Sequence, residues 1–217
     1  MKDKRIKLAM IAGYFKKVGI KRLVMMLIGN VFIGMGVSIF KLSGLGNDPF
    51  SGMVMALSDM LQITYAPFVI MVNLVLFVVE AAYGRKLIGA GTLVNAMLMG
   101  YIITFFNKLF LAVIGAPAGL TGQVITVFIG VVICSFGVSL YQTPNVGISP
   151  YDSLSLIMTE RLKNGSYFWC RMATDAVCAL ICWMAGGIIG LGTLVSAFGL
   201  GPIIHFFNVH FSEKLLD

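Results

Sequence analysis

Charged residues are scarce in this chain. Sixteen Lys and Arg and nine Asp and Glu make up 12% of its 217 residues, whereas hydrophobic residues make up 59% and the mean hydropathy is +0.94. Soluble domains carry about a quarter charged residues, so this composition excludes a soluble globular protein and predicts an integral membrane protein. The length suits six crossings of about 20 residues each with short loops, and it leaves no room for a soluble domain.

Histidine and cysteine are also rare, which argues against a metal site. The chain has two His, and its four Cys fall in apolar stretches without a metal-ligand spacing (Cys134, Cys170, Cys178 and Cys182). The sequence has no phosphate loop and no nucleophile elbow. We therefore expect no metal, no cofactor and no enzymatic activity. The net charge of +7 does not indicate nucleic-acid binding, because the basic residues cluster beside apolar spans.

The placement of Lys and Arg predicts the direction of the crossings. Residues 1–22 form a basic amphipathic segment that we expect on the inner leaflet. Six apolar spans follow, at about 23–41, 66–83, 88–112, 120–141, 167–185 and 189–209. The loops 42–65, 113–119 and 186–188 contain no Lys or Arg, so the positive-inside rule places them outside and both termini in the cytoplasm. We expect a multi-pass protein of a bacterial cytoplasmic (inner) membrane.

The chain contains an internal repeat. Residues 88–107 (IGAGTLVNAMLMGYIITFFN) and 189–208 (IGLGTLVSAFGLGPIIHFFN) are identical at 13 of 20 positions, at an offset of 101 residues. Each repeat, 23–112 and 120–211, holds three spans. An odd number of spans turns the second repeat upside down relative to the first, as in many secondary transporters. The predicted fold is an all-α membrane protein with six transmembrane helices in two inverted-topology three-helix repeats.

A polar break follows the first span of each repeat. The dipeptides Asp48-Pro49 and Ser149-Pro150 are typical helix starts, because Asp or Ser caps free amide groups and Pro fits the first helical position. They predict half-helices over 49–62 and 150–162, about 20 Å long and too short to cross a bilayer. Two placements are open. Re-entrant half-helices would build a solute site where their N-terminal ends meet, whereas amphipathic ones would lie flat at the interface.

Polar residues also occur inside the predicted spans. Asp175 lies one helical turn after Arg171 in the fifth span, and Asn73 aligns with Asp175 in the first repeat. Ionisable groups inside a membrane are functional candidates, but an Arg–Asp pair four residues apart can also be a purely structural ion pair. Both interpretations are open. Glu80 lies near the cytoplasmic end of its span, and we expect it to pair there with the Arg or Lys at positions 85 and 86.

Three stretches carry a family resemblance: GVSIF…GLGNDPF in the first repeat, GVSLY…VGISPYD in the second, and GLGTLVSAFGLGPIIHFF near the end. They resemble the bacterial YczE/YitT family of membrane proteins over almost the whole chain. They approximate a G-x-[DS]-P-[FWY]-[DS] signature, in which Ser51 takes the place of the more usual Asp. The resemblance implies a transport-related protein. It also implies a vitamin B6-like solute, because some members are thought to lie near pyridoxal-phosphate-sensing regulators.

These observations predict a small-solute secondary transporter that works by alternating access. The expected site combines the polar breaks with the second spans of the two repeats: Asp48, Phe50, Ser51, Asn73, Ser149, Tyr151, Asp152, Arg171 and Asp175. The aromatic members would be walls or gates. The acids near the half-helix starts more than offset the positive helix ends, which favours a cationic, zwitterionic or neutral solute, or coupling to H⁺ or Na⁺. A passive channel and a non-transporting scaffold or regulator are the alternatives. The lipid bilayer is the other expected partner, and a homodimer is left open.

Overall fold

The computed structural model describes residues 18–162 and 166–216, so most of the predicted basic segment 1–22 lies outside the described residues. Every regular element in the two described ranges is helical. The α-helices are α1 (Ile20–Ser43), α2 (Pro49–Met60), α3 (Tyr65–Tyr83), α4 (Ala90–Val113), α5 (Gly119–Gln142), α6 (Pro150–Arg161), α7 (Tyr167–Met184) and α8 (Leu191–Phe207). A 3₁₀ turn (Arg85–Leu87) follows α3, and a π-helical turn (Asn208–Ser212) extends α8. The all-α prediction is confirmed for these residues.

Each predicted span falls on one long helix, but the helices differ in apolarity. Five of the described helices, α1, α3, α4, α5 and α8 with its π-helical turn, are long and apolar enough to cross a membrane. α7 is less apolar, because Arg171 and Asp175 interrupt its sequence. A sixth crossing by α7 therefore stays a prediction. Large apolar side chains such as Leu74, Val75 and Trp169 are exposed on the helix surfaces, as expected of a protein that faces lipid.

The two half-helices begin where the sequence predicts. Asp48 caps α2, and its Oδ1 accepts a hydrogen bond from the Ser51 N–H at 3.0 Å. Ser149 caps α6, and its Oγ accepts a hydrogen bond from the Asp152 N–H at 3.1 Å. Pro occupies the first position of both helices, where its missing N–H costs no hydrogen bond. Both helices end one or two residues before the predicted limits.

The first helices of the two repeats, α1 and α5, pack against each other in opposite directions. A Cβ added at Gly29 would lie 2.5 Å from the Tyr141 N, and one at Gly36 would lie 2.6 Å from the Cys134 Cβ. Residues later in α1 thus contact residues earlier in α5, so the two helices are antiparallel. Small residues at these positions let the two backbones touch.

The half-helices pack across the repeats. α2 of the first repeat packs on α7 of the second, and α6 of the second repeat packs on α3 of the first. A buried apolar cluster around these contacts includes Met53, Phe68, Tyr151 and Cys178. The exchange is reciprocal, and it brings the first turns of α2 and α6 into contact.

The most similar stretch of the two repeats makes the same backbone contact twice. The Gly91 N–H donates to the Val146 O at 2.8 Å, and the Gly192 N–H donates to the Leu45 O at 2.9 Å. In each case the first turn of the last long helix of one repeat (α4 or α8) donates a hydrogen bond to the loop that precedes the half-helix of the other repeat. Glycine is needed because the two backbones approach so closely that a Cβ would not fit. The identity of the two segments therefore has a structural cause.

Candidate functional site

Phe50 and Tyr151 stack where the two half-helices meet. Their ring centroids lie 4.4 Å apart, and the ring planes differ by 15°. The two residues occupy equivalent positions in the two repeats, in the first turns of α2 and α6. Tyr151 is 5% exposed, so this contact is buried. The N-terminal ends of the two half-helices are therefore joined by an aromatic pair.

Arg171 of α7 links two carboxylates beside this stack. Its guanidinium forms an ion pair with Asp152 of α6, and its Nε lies 3.4 Å from the Asp175 Oδ2. The Tyr151 hydroxyl donates to the Asp175 Oδ1 at 2.5 Å, and the Arg171 Cζ lies 4.8 Å from the centroid of the Tyr151 ring. The ion pair that the sequence indicates within α7 is thus one part of a network between two helices. We call Tyr151, Asp152, Arg171 and Asp175 the arginine network.

Removing the Tyr151 hydroxyl tests this network. Tyr151→Phe keeps the ring stack but removes the hydrogen bond that the Tyr151 hydroxyl donates to Asp175. Because Asp175 is 4% exposed, water cannot replace this hydrogen bond. We expect the free energy of unfolding to fall by about 1–3 kcal/mol. Tyr101→Phe is the control, because Tyr101 is 55% exposed and should change stability by less than about 0.5 kcal/mol. Unfolding curves of the two purified variants give the comparison, and equal losses would contradict the network.

The cap of the first half-helix leaves a free acceptor. The Asp48 Oδ1 accepts from the Ser51 N–H, whereas the Asp48 Oδ2 is buried and has no hydrogen-bond partner among the described residues. At the equivalent cap of α6, the Ser149 Oγ donates to the Asp152 Oδ2 at 2.7 Å, so that cap is closed by the arginine network. A buried polar atom without a partner requires an explanation, and a bound ligand is one.

Asn73 is the predicted site residue that lies apart from both half-helix starts and from the arginine network. Its Nδ2 donates to the Ala96 O of α4 at 3.5 Å, and its Oδ1 is buried without a partner. No hydrogen bond joins it to the arginine network among the residues that the structure describes. Its equivalent in the second repeat, Asp175, is a member of that network. The other eight predicted residues lie at the two half-helix starts and on the adjoining face of α7.

The site carries an excess of negative charge. Among the described residues of the site, three acids (Asp48, Asp152 and Asp175) accompany one cation, Arg171, and Asp48 interacts electrostatically with both Arg171 and Asp175. Two helix N-terminal ends add about one positive charge together. If all three acids are ionised, about one net negative charge remains, which suits a bound cation, a proton or the ammonium group of a zwitterion.

Glu80 is a buried acid that sequence reasoning misplaced. We expected it to pair at the membrane interface with Arg85 or Lys86, and this prediction is wrong. Glu80 is fully buried, and neither carboxylate oxygen has a hydrogen-bond partner among the described residues. Lys86 instead pairs with Glu160 at 2.8 Å, and the Arg85 Nε donates to the Ala81 O at 2.9 Å. One sequence signal was available, because position 80 lies two helical turns after Asn73 and therefore on the same face of α3.

A cleft of about 290 Å³ opens beside the start of α2. Small residues line it, among them Gly52 and Ala56 of α2 and Gly187 of the loop between α7 and α8. Lys41 and Asp59 also line the cleft. It reaches the residue that precedes the Asp48 cap. A larger cavity of about 430 Å³ lies between α5 and the C-terminal segment and includes no residue of either half-helix.

The equivalent side of the second half-helix carries an ion pair and a cation–π contact. The Lys86 Nζ lies 2.8 Å from the Glu160 Oε1, and the Arg161 Cζ lies 4.2 Å from the centroid of the Tyr83 ring. Ser153, the equivalent of the cleft-lining glycine of α2, is fully buried. The two repeats thus share a fold but differ here, because a cleft borders the start of α2 whereas an ion pair and a cation–π contact lie on the equivalent side of α6.

Comparisons with known proteins identify the family. The profile of a family of unknown function, DUF6198, matches residues 20–209. The chain is 28% identical over 179 residues to the uncharacterized membrane protein YczE of Bacillus subtilis, covering 82% of this chain and 81% of YczE. It is 27% identical to an uncharacterized protein of Haemophilus influenzae, covering 81% of this chain and 78% of that protein. It is 26% identical to the uncharacterized protein YyaS of Bacillus subtilis, covering 86% and 94% of the two chains. No solved structure matches it. The chain therefore belongs to the DUF6198 family and is a YczE-like multi-pass membrane protein.

Proposed function

We propose that this protein is a small-solute secondary transporter of the bacterial cytoplasmic membrane that works by alternating access. The observation that carries the proposal is the meeting of the two half-helix starts at Phe50 and Tyr151, beside a buried network of three acids and one arginine. Burying such a charged centre inside an apolar protein has a large energetic cost. Ionisable groups in this environment are therefore candidates for a functional site. Helix ends that meet inside the membrane are also the usual place for transporter substrates.

The packing of α1 on α5 supports two inverted repeats. Equivalent helices of repeats that point the same way would be parallel, whereas α1 and α5 are antiparallel at Gly29 and Gly36. The reciprocal packing of α2 on α7 and of α6 on α3 follows the same symmetry. With six crossings, including α7, the half-helices would approach from opposite faces and the basic loops would all be cytoplasmic.

The same geometry favours re-entrant over interfacial half-helices. Two helices lying flat on opposite faces would be separated by the hydrocarbon core, which is about 30 Å thick. Their first turns instead touch, with ring centroids 4.4 Å apart. Both N-terminal ends would therefore lie near the middle of the membrane, where irregular backbone is tolerated only if it lines a cavity or is buried in protein.

Access from one side supports a carrier rather than a passive channel. The cleft beside α2 leads toward Asp48 from the predicted outer face. On the predicted inner face, Lys86–Glu160 and Arg161–Tyr83 close the equivalent path, and the stack of Phe50 and Tyr151 lies between the two sides. Inverted repeats supply a second state by exchanging the two arrangements, so that the inner side opens while the outer side closes.

The charge of the site supports a cationic, zwitterionic or neutral solute, or coupling to H⁺ or Na⁺. The Asp48 Oδ2 is a buried acceptor without a hydrogen-bond partner among the described residues, and it belongs to the residue that follows Asn47 of the cleft lining. The family resemblance adds vitamin B6-like compounds to the solutes worth testing. In this proposal the solute donates a hydrogen bond to Asp48 and lies against the ring of Phe50, with the arginine network on its other side.

A ligand screen followed by liposome uptake tests the proposal. Purified protein is melted in the presence of cationic, zwitterionic and neutral metabolites, including vitamin B6 compounds, and stabilising compounds are then assayed for saturable uptake. Asp48→Asn should slow uptake about tenfold or more, because it removes the charged acceptor. Glu213→Gln is the control, since this exposed acid of the C-terminal segment lies away from the cleft and from both half-helices, and it should leave uptake unchanged. Non-saturable flux would favour the channel, and absence of any flux would favour a scaffold or regulator.

A further inference from the structure

We propose that Glu80 is a proton-binding site and that the proton is the coupling ion of this carrier. The identification of the coupling ion rests on the proposed function. Glu80 is fully buried in the wall that α3 forms against α6. Neither of its carboxylate oxygens has a hydrogen-bond partner in the described part of the chain. A carboxyl group in such surroundings avoids the cost of a buried charge by keeping its proton.

The basic residues near Glu80 are engaged elsewhere. Lys86 pairs with Glu160, and the Arg85 Nε donates to the Ala81 O. Arg161 lies over the Tyr83 ring at the same end of α3, and Arg171 is shared by the two acids of the arginine network. None of these cations forms an ion pair with Glu80 in the described structure. The group that neutralises Glu80 is therefore a proton.

The titratable groups that face Glu80 link it to the solute site. Asp152 of α6 repels a negative charge on Glu80, and Tyr141 of α5 also interacts with Glu80 electrostatically. On the other helices against α3, Asp59 of α2 and Tyr101 and Lys108 of α4 are exposed. An ionised Glu80 would thus act mainly on Asp152, the acid that pairs with Arg171. Proton binding at Glu80 and the arrangement of the arginine network are coupled through this repulsion.

The position of Glu80 indicates where the proton leaves. Glu80 lies three residues from the end of α3, behind the contacts of Lys86 with Glu160 and of Arg161 with Tyr83 that close the predicted inner face. When these contacts open, water reaches the carboxyl group, the O–H bond breaks, and the proton passes to that water while the carboxylate becomes hydrated. A sodium ion would need several oxygen ligands. Among the described residues Glu80 belongs to no group of three or more His, Cys, Asp or Glu side chains, and sodium held by backbone carbonyl and hydroxyl oxygens is the outcome that the sodium measurement below detects.

Infrared spectroscopy of the full chain in lipid tests the assignment without any solute. At neutral pH the wild type should show the C=O stretching band of a protonated buried carboxyl group, shifted by exchange into D₂O. Glu80→Gln, which keeps the shape of the side chain, should lose this band, and Glu80→Asp should move it. The matched control is Glu160→Gln, an exposed acid at the same end of the protein, which should keep it.

The outcomes separate this inference from the proposed function. If Glu80→Gln and the wild type have the same carboxyl spectrum at every pH tested, Glu80 is not the proton site, whatever the uptake assays show. If sodium removes the band at constant pH, the site binds Na⁺ and the proton assignment is overturned. Loss of the band in Glu80→Gln supports the proton site even where no compound is transported, in which case the carrier alone would be in doubt.

Discussion

Arg171→Ala is expected to destabilise the protein by about 3 kcal/mol or more. Among the described residues, Arg171 is the cation that pairs with both Asp152 and Asp175, and removing one partner of a buried ion pair leaves the other charge uncompensated. The side chain of Asp175 is 6% exposed, so water cannot replace the guanidinium there. Unfolding of the purified variant in increasing denaturant, compared with the wild type, measures the loss, and uptake should be abolished.

Two further variants show whether charge balance is the cause. Arg171→Lys keeps the charge but cannot hold two carboxylates and stack on Tyr151 with a planar group, so we expect a smaller loss. Adding Asp175→Asn to Arg171→Ala removes one of the orphaned acids and should restore part of the stability. If the effects of Arg171→Ala and Asp175→Asn on the free energy of unfolding simply add in the double variant, the two residues do not interact energetically. That result would contradict the network.

The second large effect is expected at the contact of α1 with α5. A Cβ at Gly137 would lie 2.5 Å from the backbone N of Ile33, and neither backbone can move without separating the two helices. Gly137→Ala should therefore lower the free energy of unfolding by about 3 kcal/mol, the upper part of the range for overpacked sites. Alanine has a higher helix propensity than glycine, so any loss of stability at this position would be due to the clash with α1.

Gly122→Ala is the matched control in the same helix. The nearest atom to a Cβ at this position belongs to the Pro117 side chain at 3.5 Å, which is ordinary van der Waals contact. We expect Gly122→Ala to be neutral or slightly stabilising by its better helix propensity. Thermal melting of both variants in the same detergent gives the comparison. A Gly137→Ala variant as stable as Gly122→Ala would show that α1 and α5 do not pack as described.

The features that sequence reasoning predicted depend on local signals. The starts of α2 and α6 follow from an Asp or Ser cap before a Pro, which determines a helix start whatever surrounds it. The positions of the long helices follow from apolar runs of sufficient length. The internal repeat is visible because identical contacts, such as those of Gly91 and Gly192 with the opposite loop, require the same residues twice.

The features that sequence reasoning missed depend on contacts between distant segments. Nothing near Glu80 in the sequence shows that Lys86 will pair with Glu160 of another helix, and the nearest basic residues suggested a surface ion pair. The link from Arg171 to Asp152 is likewise set by the packing of α6 on α7, which spacing alone cannot show. Asn73 aligns with Asp175, but the two equivalent positions carry different side chains, and Asn73 contacts the Ala96 O of α4 instead of the arginine network.

The most direct test concerns the orientation of the two repeats. Asp59 and Glu160 occupy equivalent positions in the exposed last turns of α2 and α6. Each would be changed to Cys in a chain whose four native cysteines are replaced, and then exposed to a membrane-impermeant maleimide in sealed vesicles of known orientation. We predict that Asp59→Cys is labelled only from the periplasmic or outer side and Glu160→Cys only from the cytoplasmic side. Labelling of both from the same side would contradict the inverted arrangement on which the transporter proposal depends.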